Sequence, residues 1–522
     1  MAEEASSTRS GREEKAAAPA RSQAESEKSK NDRILLCIML AAVLLSTIYW
    51  IAFCINAYNN FNEFADLGGF TMSMYYDIHY PAIAHGWQFI SFDNHLAPDM
   101  LLILPIYAIW QSPVTLIIVQ AIMMCATALL LFLVADDLLH DRLTALLLGL
   151  AFLITPGMWY IIMSAFHSEP LVVPLYLLVF YFFMKKDTAK FVVSTIFFLG
   201  AMEFSPFLGA SLGLGLFIYC FFEPERDMKK IRQVGILLGL SLAAYVFYAI
   251  AINGLLAGYA NGQYAGLPLT IHALPAVSMY VAPLSSAASN ISLALSNSPP
   301  LLLFTLAVAF LSFGIAVFYR PITTIILVSP WWVNAIVLAN EGFFEVSHYF
   351  SLALGGLLVA VLLVLLTLKK KKEQGARAYK VIKYSIICVP LVLFLIAPSF
   401  VSQSAFWYSL GETFLFQHTP AQQAAITQLN SVLNLLPPNA SVYTTYFVFA
   451  HVTQRKDAEA FSPPGWYYFE PDYVLFDFNT TVNYEAYGFN QSNVVLAFLK
   501  EYNNSYELYA KNGTSVLLKR VK

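Results

Sequence analysis

Residues 63–99 read EFADLGGFTMSMYYDIHYPAIAHGWQFISFDNHLAPD, with four aspartates, three histidines and a glutamate among aromatic residues. The stretch directly follows the first long apolar run. Ionisable side chains at membrane depth are costly unless paired or used, so each is a candidate for chemistry. Asp66 comes first as a carboxylate able to take a proton. Asp66, Asp77, His79, His95 and His167 together could supply a carboxylate–imidazole set for a divalent ion. No HExxH or comparable short ligand spacing accompanies them, so the pattern by itself does not specify a metal. His79 and His85 also read as interfacial groups of a solvated loop.

Three further polar clusters interrupt apolar sequence. SAFHSEP carries His167 and Glu169, AMEFSP carries Glu203, and PWWVNAIVLANEGFFEVSHYF carries Asn334, Glu341, Glu345, His348 and Tyr349. Each has a plainer reading: His167 with Glu169 as a local contact, Glu203 as a carboxylate capping the helix that starts near Pro206. All four clusters nevertheless fall at the same ends of their apolar runs, and a cavity opening on that face accounts for them together.

The elements that must position these residues are membrane helices. Of the 522 residues 58% are hydrophobic and 12% charged, with a mean hydropathy of +0.61, whereas soluble domains carry about 25% charged residues. The formal net charge of −3 implies no nucleic-acid partner. Cys37, Cys54, Cys125, Cys220 and Cys388 all lie in apolar runs without CxxC spacing, as packing residues do. Runs of about 20 apolar residues recur near 34–56, 113–134, 143–162, 170–184, 190–203, 206–222, 233–256, 300–319, 321–340, 349–368 and 379–400. The expected architecture is an all-α polytopic membrane protein of about eleven transmembrane helices.

Residues 1–32 have the composition of a disordered cytoplasmic tail, and 34–56 reads as a retained signal anchor. Residues 33–400 form the transmembrane domain, with 57–112 as a long first outer loop of juxtamembrane helices. The short run LLILPIYAIW at 101–110 is read as a horizontal helix. Only then do Arg142, Lys185–Lys186 and the later basic loops share the cytoplasmic face. Six N-x-S/T patterns, at Asn290, Asn439, Asn479, Asn490, Asn503 and Asn512, all fall on the opposite side. After Pro398 the sequence turns polar, and 401–522 is expected as a small extracytoplasmic α/β domain. Within it TPAQQAAITQLNSVLNLLP is an amphipathic helix, and ASVYTTYFVFA and DYVLFDF hold strands. The protein would sit in the cell membrane, multi-pass, with a cytoplasmic N-terminus.

FADLGGF, NHLAPDMLLILPIYAIWQSPVTLIIVQA, FHSEPLVVPLYLLVFYF and SHYFSLALGGLL, followed by the ending LPPNASVYTTYFVFAHVTQRKDAEAF…DYVLFDF, occur in the order typical of a prokaryotic family of membrane proteins, domain of unknown function 2079. The resemblance spans about residues 61–520. Ala65 stands where the family has Phe, His95-Leu96-Ala97-Pro98 where it has H-F-S-P, and Met202-Glu203-Phe204 where it has K-E-D. Asp66, His95, His167, Glu203 and His348 match its motifs. The family in turn is similar to the GT-C superfamily, membrane glycosyltransferases that take sugar from a polyprenyl-phosphate carrier and place a catalytic carboxylate early in the first outer loop.

That resemblance implies a GT-C-like glycosyltransferase. Asp66 would be the catalytic base, and His95, His167, Glu169, Glu203, His348 and Tyr349 would bind substrate. The partners would be membrane lipid with a lipid-linked sugar donor, and a glycan, lipid or protein acceptor. Arg455 and Lys456 of the C-terminal domain could instead reach the donor phosphate. Two other readings fit the same polar face: a transporter or flippase for a lipid or polar solute, and a non-catalytic membrane module with a partner-binding C-terminal domain.

Overall fold

The computed structural model describes residues 2–62, 65–80, 91–92, 95–164, 166–223, 227–260, 299–338, 348–371, 373–401, 419–461, 470–480, 483–484, 489–502 and 504–521. His85 lies outside them. Most are helical. The helices that build the bundle are α1 (Ala2–Asn59), α2 (Ala65–His79), α3 (Leu104–Ile109), α4 (Pro113–Leu139), α5 (Arg142–Ile154), α6 (Pro156–Met163), α7 (Val172–Lys185), α8 (Thr188–Gly200), α9 (Ser205–Phe221) and α10 (Met228–Ala260). They continue with α11 (Pro299–Leu311), α12 (Pro321–Leu327), α13 (Ser329–Leu338), α14 (Ser351–Lys370) and α15 (Glu373–Val401).

Five stretches are long and apolar enough to cross a membrane: Lys30–Asn59, Pro113–Leu139, Met228–Ala251, Ser351–Lys370 and Gly375–Ala397. A sixth is the pair α5–α6, bent by 45°, where Pro156 cannot donate the backbone hydrogen bond that would continue α5. The remaining apolar runs fold as shorter pieces. α8 and α9 have 13 and 17 residues, and the run at 321–340 breaks between α12 and α13. The eleven runs are therefore not eleven equivalent spans among the described residues. The run at 101–110 becomes a 3₁₀ turn, Pro98–Leu102, and the six-residue α3. At 1.5 Å per residue α3 covers about 9 Å of a hydrocarbon core about 30 Å thick, so it does not span.

The basic residues gather at one end of the bundle. Arg142 pairs with Asp136 and Asp32, Lys185 with Asp137, Lys186 with Asp227, Lys370 with Glu223 and Lys383 with Asp141. Helix α14 runs through the middle, with 94% of its apolar window buried. Without water to drive association, helices in a membrane gain chiefly from close packing, which small residues permit. Gly355 lies against Tyr176, and a β-carbon at Gly356 would run into the carbonyl of Leu327 on α12.

The C-terminal residues form the expected α/β unit. Strands β3 (Val442–Thr444), β4 (Ala458–Ala460), β5 (Tyr473–Asp477), β8 (Tyr506–Asn512) and β9 (Ser515–Arg520) make one sheet in the order β4-β3-β5-β9-β8. Parallel β3–β4 and β3–β5 pairs join an antiparallel β5–β9–β8 edge. Helix α16 (Pro420–Leu433) begins with a capping box between Thr419 and Gln422 and turns Leu429 and Val432 inward. Helix α17 (Gln491–Glu501) completes the unit. Two-residue pairings complete the inventory: β1 (Ser91–Phe92) with β2 (His95–Leu96), and β6 (Asn483–Tyr484) with β7 (Phe489–Asn490). One continuous apolar core runs from the membrane helices into this unit through Phe447, Val448, Phe449 and Ala450.

Gly356→Ala is expected to lower the thermal midpoint in detergent, the overpacking costing about 1–3 kcal/mol. Gly239→Ala, where a β-carbon meets nothing within 4 Å, should be neutral or slightly stabilising. Equal effects of the two would remove the packing role of Gly356.

Candidate active site

Asp66 occupies the first turn of α2, where a carboxylate complements the positive end of the helix dipole. Its Oδ2 lies 3.7 Å from Nε2 of His167 and accepts a hydrogen bond of 3.3 Å from the hydroxyl of Tyr446. The imidazole is nearly sealed while Asp66 keeps 23% of its side chain exposed, so the carboxylate is the member that solutes can reach. At this distance the carboxylate and the imidazole lie within ion-pair range of each other.

His167 sits in the link between α6 and α7, and Gln120 of α4 holds that link in place. The backbone N–H of His167 donates to Gln120 Oε1 (2.9 Å), and Gln120 Nε2 donates to the carbonyl of Ile161 (3.0 Å). Phe70, one turn along α2 from Asp66, meets the His167 ring edge-on with centroids 6.1 Å apart. Two residues further on, Glu169 is buried and accepts from Ser168 Oγ at 3.4 Å. The 3₁₀ turn that it opens, Glu169–Leu171, packs against the turn His348–Phe350, which carries the buried Tyr349. The side chain of His348 lies outside the described residues.

A second pairing sits alongside. Glu203 is buried in the tight connection between α8 and α9, and its Oε2 accepts the backbone N–H of Leu96 at 2.9 Å. Glu203 lies two residues before α9, which starts at Ser205, and its carboxylate anchors β2, whose first residue is His95. The His95 side chain lies outside the described ones. Strand β1, paired with β2, packs against α2, so both pairings border the same helix.

Tyr446 comes from the C-terminal unit, in the 3₁₀ turn Tyr446–His451, and this turn is seated on α2. A β-carbon at Gly68 would lie 2.5 Å from the Phe449 ring and 3.1 Å from the Ala450 nitrogen. His451 Nε2–H donates to the carbonyl of Tyr58 (2.9 Å), and its ring stacks on Tyr58 with centroids 4.1 Å apart. Gln454 donates to the carbonyl of Gln111, whose side-chain oxygen accepts from His79 at 2.6 Å. His79 thus braces the seam. Arg455 is likewise committed, bonded to the carbonyls of Val452, Pro437 and Ala440.

Sequence reasoning missed Tyr446. It lies 380 positions from Asp66, and in a chain with 30 tyrosines nothing in its spacing distinguishes it. The metal set does not assemble among the described residues, where no group of three or more His, Cys, Asp or Glu is placed to hold an ion. Asp66 and His167 offer two donors, and Asp77 stands apart. Asp77 is buried with neither carboxylate oxygen bonded among the described residues, and Asp99 is buried against Gly200. Burial pushes both carboxyls up to about 7.

A bundle of apolar helices with polar residues joined at one end and a small sheet domain seated over them defines a polytopic membrane protein with its candidate site at the bundle–domain junction. The chain belongs to the family of predicted membrane proteins DUF2079, whose profile matches residues 66–516. No curated protein matches the sequence significantly. Among solved structures, ArnT from Cupriavidus metallidurans in the apo state is 12% identical, with 90% of this chain and 97% of that one covered at a TM-score of 0.44. The oligosaccharyltransferase of Archaeoglobus fulgidus, tethered to an acceptor peptide, is 13% identical, with 82% and 64% covered at a TM-score of 0.34.

Because the Asp77 carboxyl titrates near 7 when folded and near 3.8 otherwise, the folded state holds an extra proton between those values. Stability is then greatest below about pH 4, falls as pH rises to about 7, and is level above. Asp77→Asn should raise the thermal midpoint at pH 8 and leave it unchanged at pH 4. A gain of the same size at both values would mean that the buried carboxyl does not titrate in this range.

Proposed function

We propose that the protein transfers a sugar from a polyprenyl-phosphate carrier to an acceptor hydroxyl at the non-cytoplasmic face of the membrane, with inversion at the anomeric carbon. The acceptor oxygen attacks that carbon, the bond from the carbon to the phosphate oxygen breaks, Asp66 takes the acceptor proton, and polyprenyl phosphate leaves. The observation that carries this reading is the position of Asp66: partly exposed, beside a buried imidazole, and already receiving a hydrogen bond from a hydroxyl. An acceptor hydroxyl needs the same approach to the same oxygen.

His167, with His95 and His348, is proposed to contact the donor phosphate, whose charge grows as the bond breaks. Glu169, Glu203 and Tyr349 are proposed to shape the substrate site. The anchoring of β2 by Glu203 and the packing of the Tyr349 turn on the Glu169 turn support that assignment. The family resemblance carried by the FADLGGF and FHSEP motifs, with its GT-C plan of an early carboxylate in the first outer loop, supports the same reaction class.

The test uses purified protein in lipid with a panel of polyprenyl-phosphate sugars, following release of polyprenyl phosphate. Asp66→Asn should reduce release by about 10²–10⁴-fold, the range for loss of a general base, with the fold intact. Tyr446→Phe removes the hydroxyl that donates to Asp66 Oδ2 and should lower release by about fivefold, the effect of losing a hydrogen bond worth about 1 kcal/mol. Release that is equal in wild type and Asp66→Asn, or absent with every donor, would sink the assignment.

A further inference from the structure

At the opposite, basic end of the bundle, the ring of Tyr219 is surrounded by three cations from three different segments. Lys230 Nζ lies 5.2 Å from its centroid, Arg320 Cζ 5.7 Å and Lys370 Nζ 5.8 Å. They come from the first turn of α10, the link before α12 and the last turn of α14, and Tyr219 lies near the end of α9. Lys230 also lies over Phe183.

Several other basic residues of this end are neutralised by carboxylates. Arg142, Lys185, Lys186 and Lys383 each have a carboxylate, and Lys370 has Glu223 at 2.8 Å. Lys230 and Arg320 have none within ion-pair distance among the described residues. Asp227, three residues before Lys230, is taken by Lys186 and by the backbone N–H groups of Lys229 and Lys230. Yet Lys230 is only 8% exposed. A long, flexible ammonium side chain normally snorkels to water. Here it is held inward, in the first turn of its helix, where the dipole is already positive. Glu223, bonded to Lys370 and near Lys230, offsets one of the three charges; the remaining excess of positive charge around one aromatic ring favours a further anion there.

The surroundings say what kind of anion. Phe221, Phe222 and Met228 flank the Tyr219 and Lys230 segments, Phe318 and Ile322 flank Arg320, and all five are more than 60% exposed. Met228 also opens one of the membrane-length stretches. The cations therefore sit at interfacial depth with apolar side chains turned outward beside them, and by the positive-inside rule this is the cytoplasmic end. We infer that Lys230, Arg320 and Lys370 around Tyr219 form a binding site for the phosphate of an anionic phospholipid of the inner leaflet, with its acyl chains along the exposed phenylalanines. Basic pockets between membrane helices on this side take lipid headgroups by the same physics. The site lies at the opposite end from Asp66 and does not depend on the reaction assigned there.

The test uses the full-length protein, purified in detergent and stripped of lipid, with phosphatidylglycerol or phosphatidylcholine titrated in. Binding is read by native mass spectrometry and by the thermal midpoint. Phosphatidylglycerol should bind at least tenfold more tightly, and Lys230→Gln and Arg320→Gln should each weaken it by about fivefold, the effect of one basic residue at a membrane surface. Lys230→Arg should retain binding, and Lys185→Gln, which removes a paired cation on the same face, should change nothing. Arg320, half-buried, keeps the test open if Lys230→Gln does not fold. Equal binding of the two lipids, or a Lys185→Gln loss equal to that of Lys230→Gln, would overturn the site. Stabilisation by millimolar inorganic phosphate equal to that by phosphatidylglycerol would overturn the lipid as its ligand.

Discussion

The seating of the turn Tyr446–His451 on α2 is the contact on which the candidate site depends. At Gly68 the turn comes so close that no β-carbon fits beneath the Phe449 ring. That closeness puts the Tyr446 hydroxyl within reach of Asp66, half a turn earlier on the same helix. His451 fixes the other end of the turn against the end of α1, and Gln454 ties the following loop to Gln111. The C-terminal unit is thus part of the wall around Asp66. One apolar core passes through the seam, so the unit and the bundle are held by the same burial that holds each internally.

Asp66 and His167 divide the work of their pair by exposure. The imidazole is buried, and the backbone that carries it is fixed through Gln120 to a neighbouring helix. The carboxylate keeps access to solvent. A fixed, sealed group beside a reachable one is the arrangement on which the proposed proton transfer rests. Glu203 shows a different use of a buried carboxylate. It secures a backbone N–H at the start of a short strand, which stabilises the charge and the strand together.

The two ends of the bundle contrast. At the basic end several charges are neutralised locally by carboxylates from adjacent segments. At the opposite end the polar residues are paired with backbone, with aromatic rings, or with each other across long sequence separations. Between them the helices meet through small residues such as Gly355 and Gly356, since packing is what brings helices together in lipid.

Much of this was legible in the sequence because it rests on local rules. Hydropathy marked the apolar runs, the basic loops marked one face, helical spacing of apolar residues marked α16, and β-branched and aromatic residues marked β3 and β5. Asp66, His167 and Glu203 stood out because a charged residue inside apolar sequence is rarely idle. Composition could not say which runs are straight spans, since Pro156 bends one and others stop short. Nor could it pair Asp66 with His167 about 100 residues away, or join Glu203 to the backbone of β2. Tyr446 carried no signal at all, since its role comes entirely from where a sheet domain docks. Arg455 kept its charge but lost its expected freedom, because three carbonyls of its own domain hold it. Residue type and local pattern are properties of the chain alone. Which groups share a site is set by the packing of segments far apart along it, and here that packing turns on a glycine that leaves room for a phenylalanine.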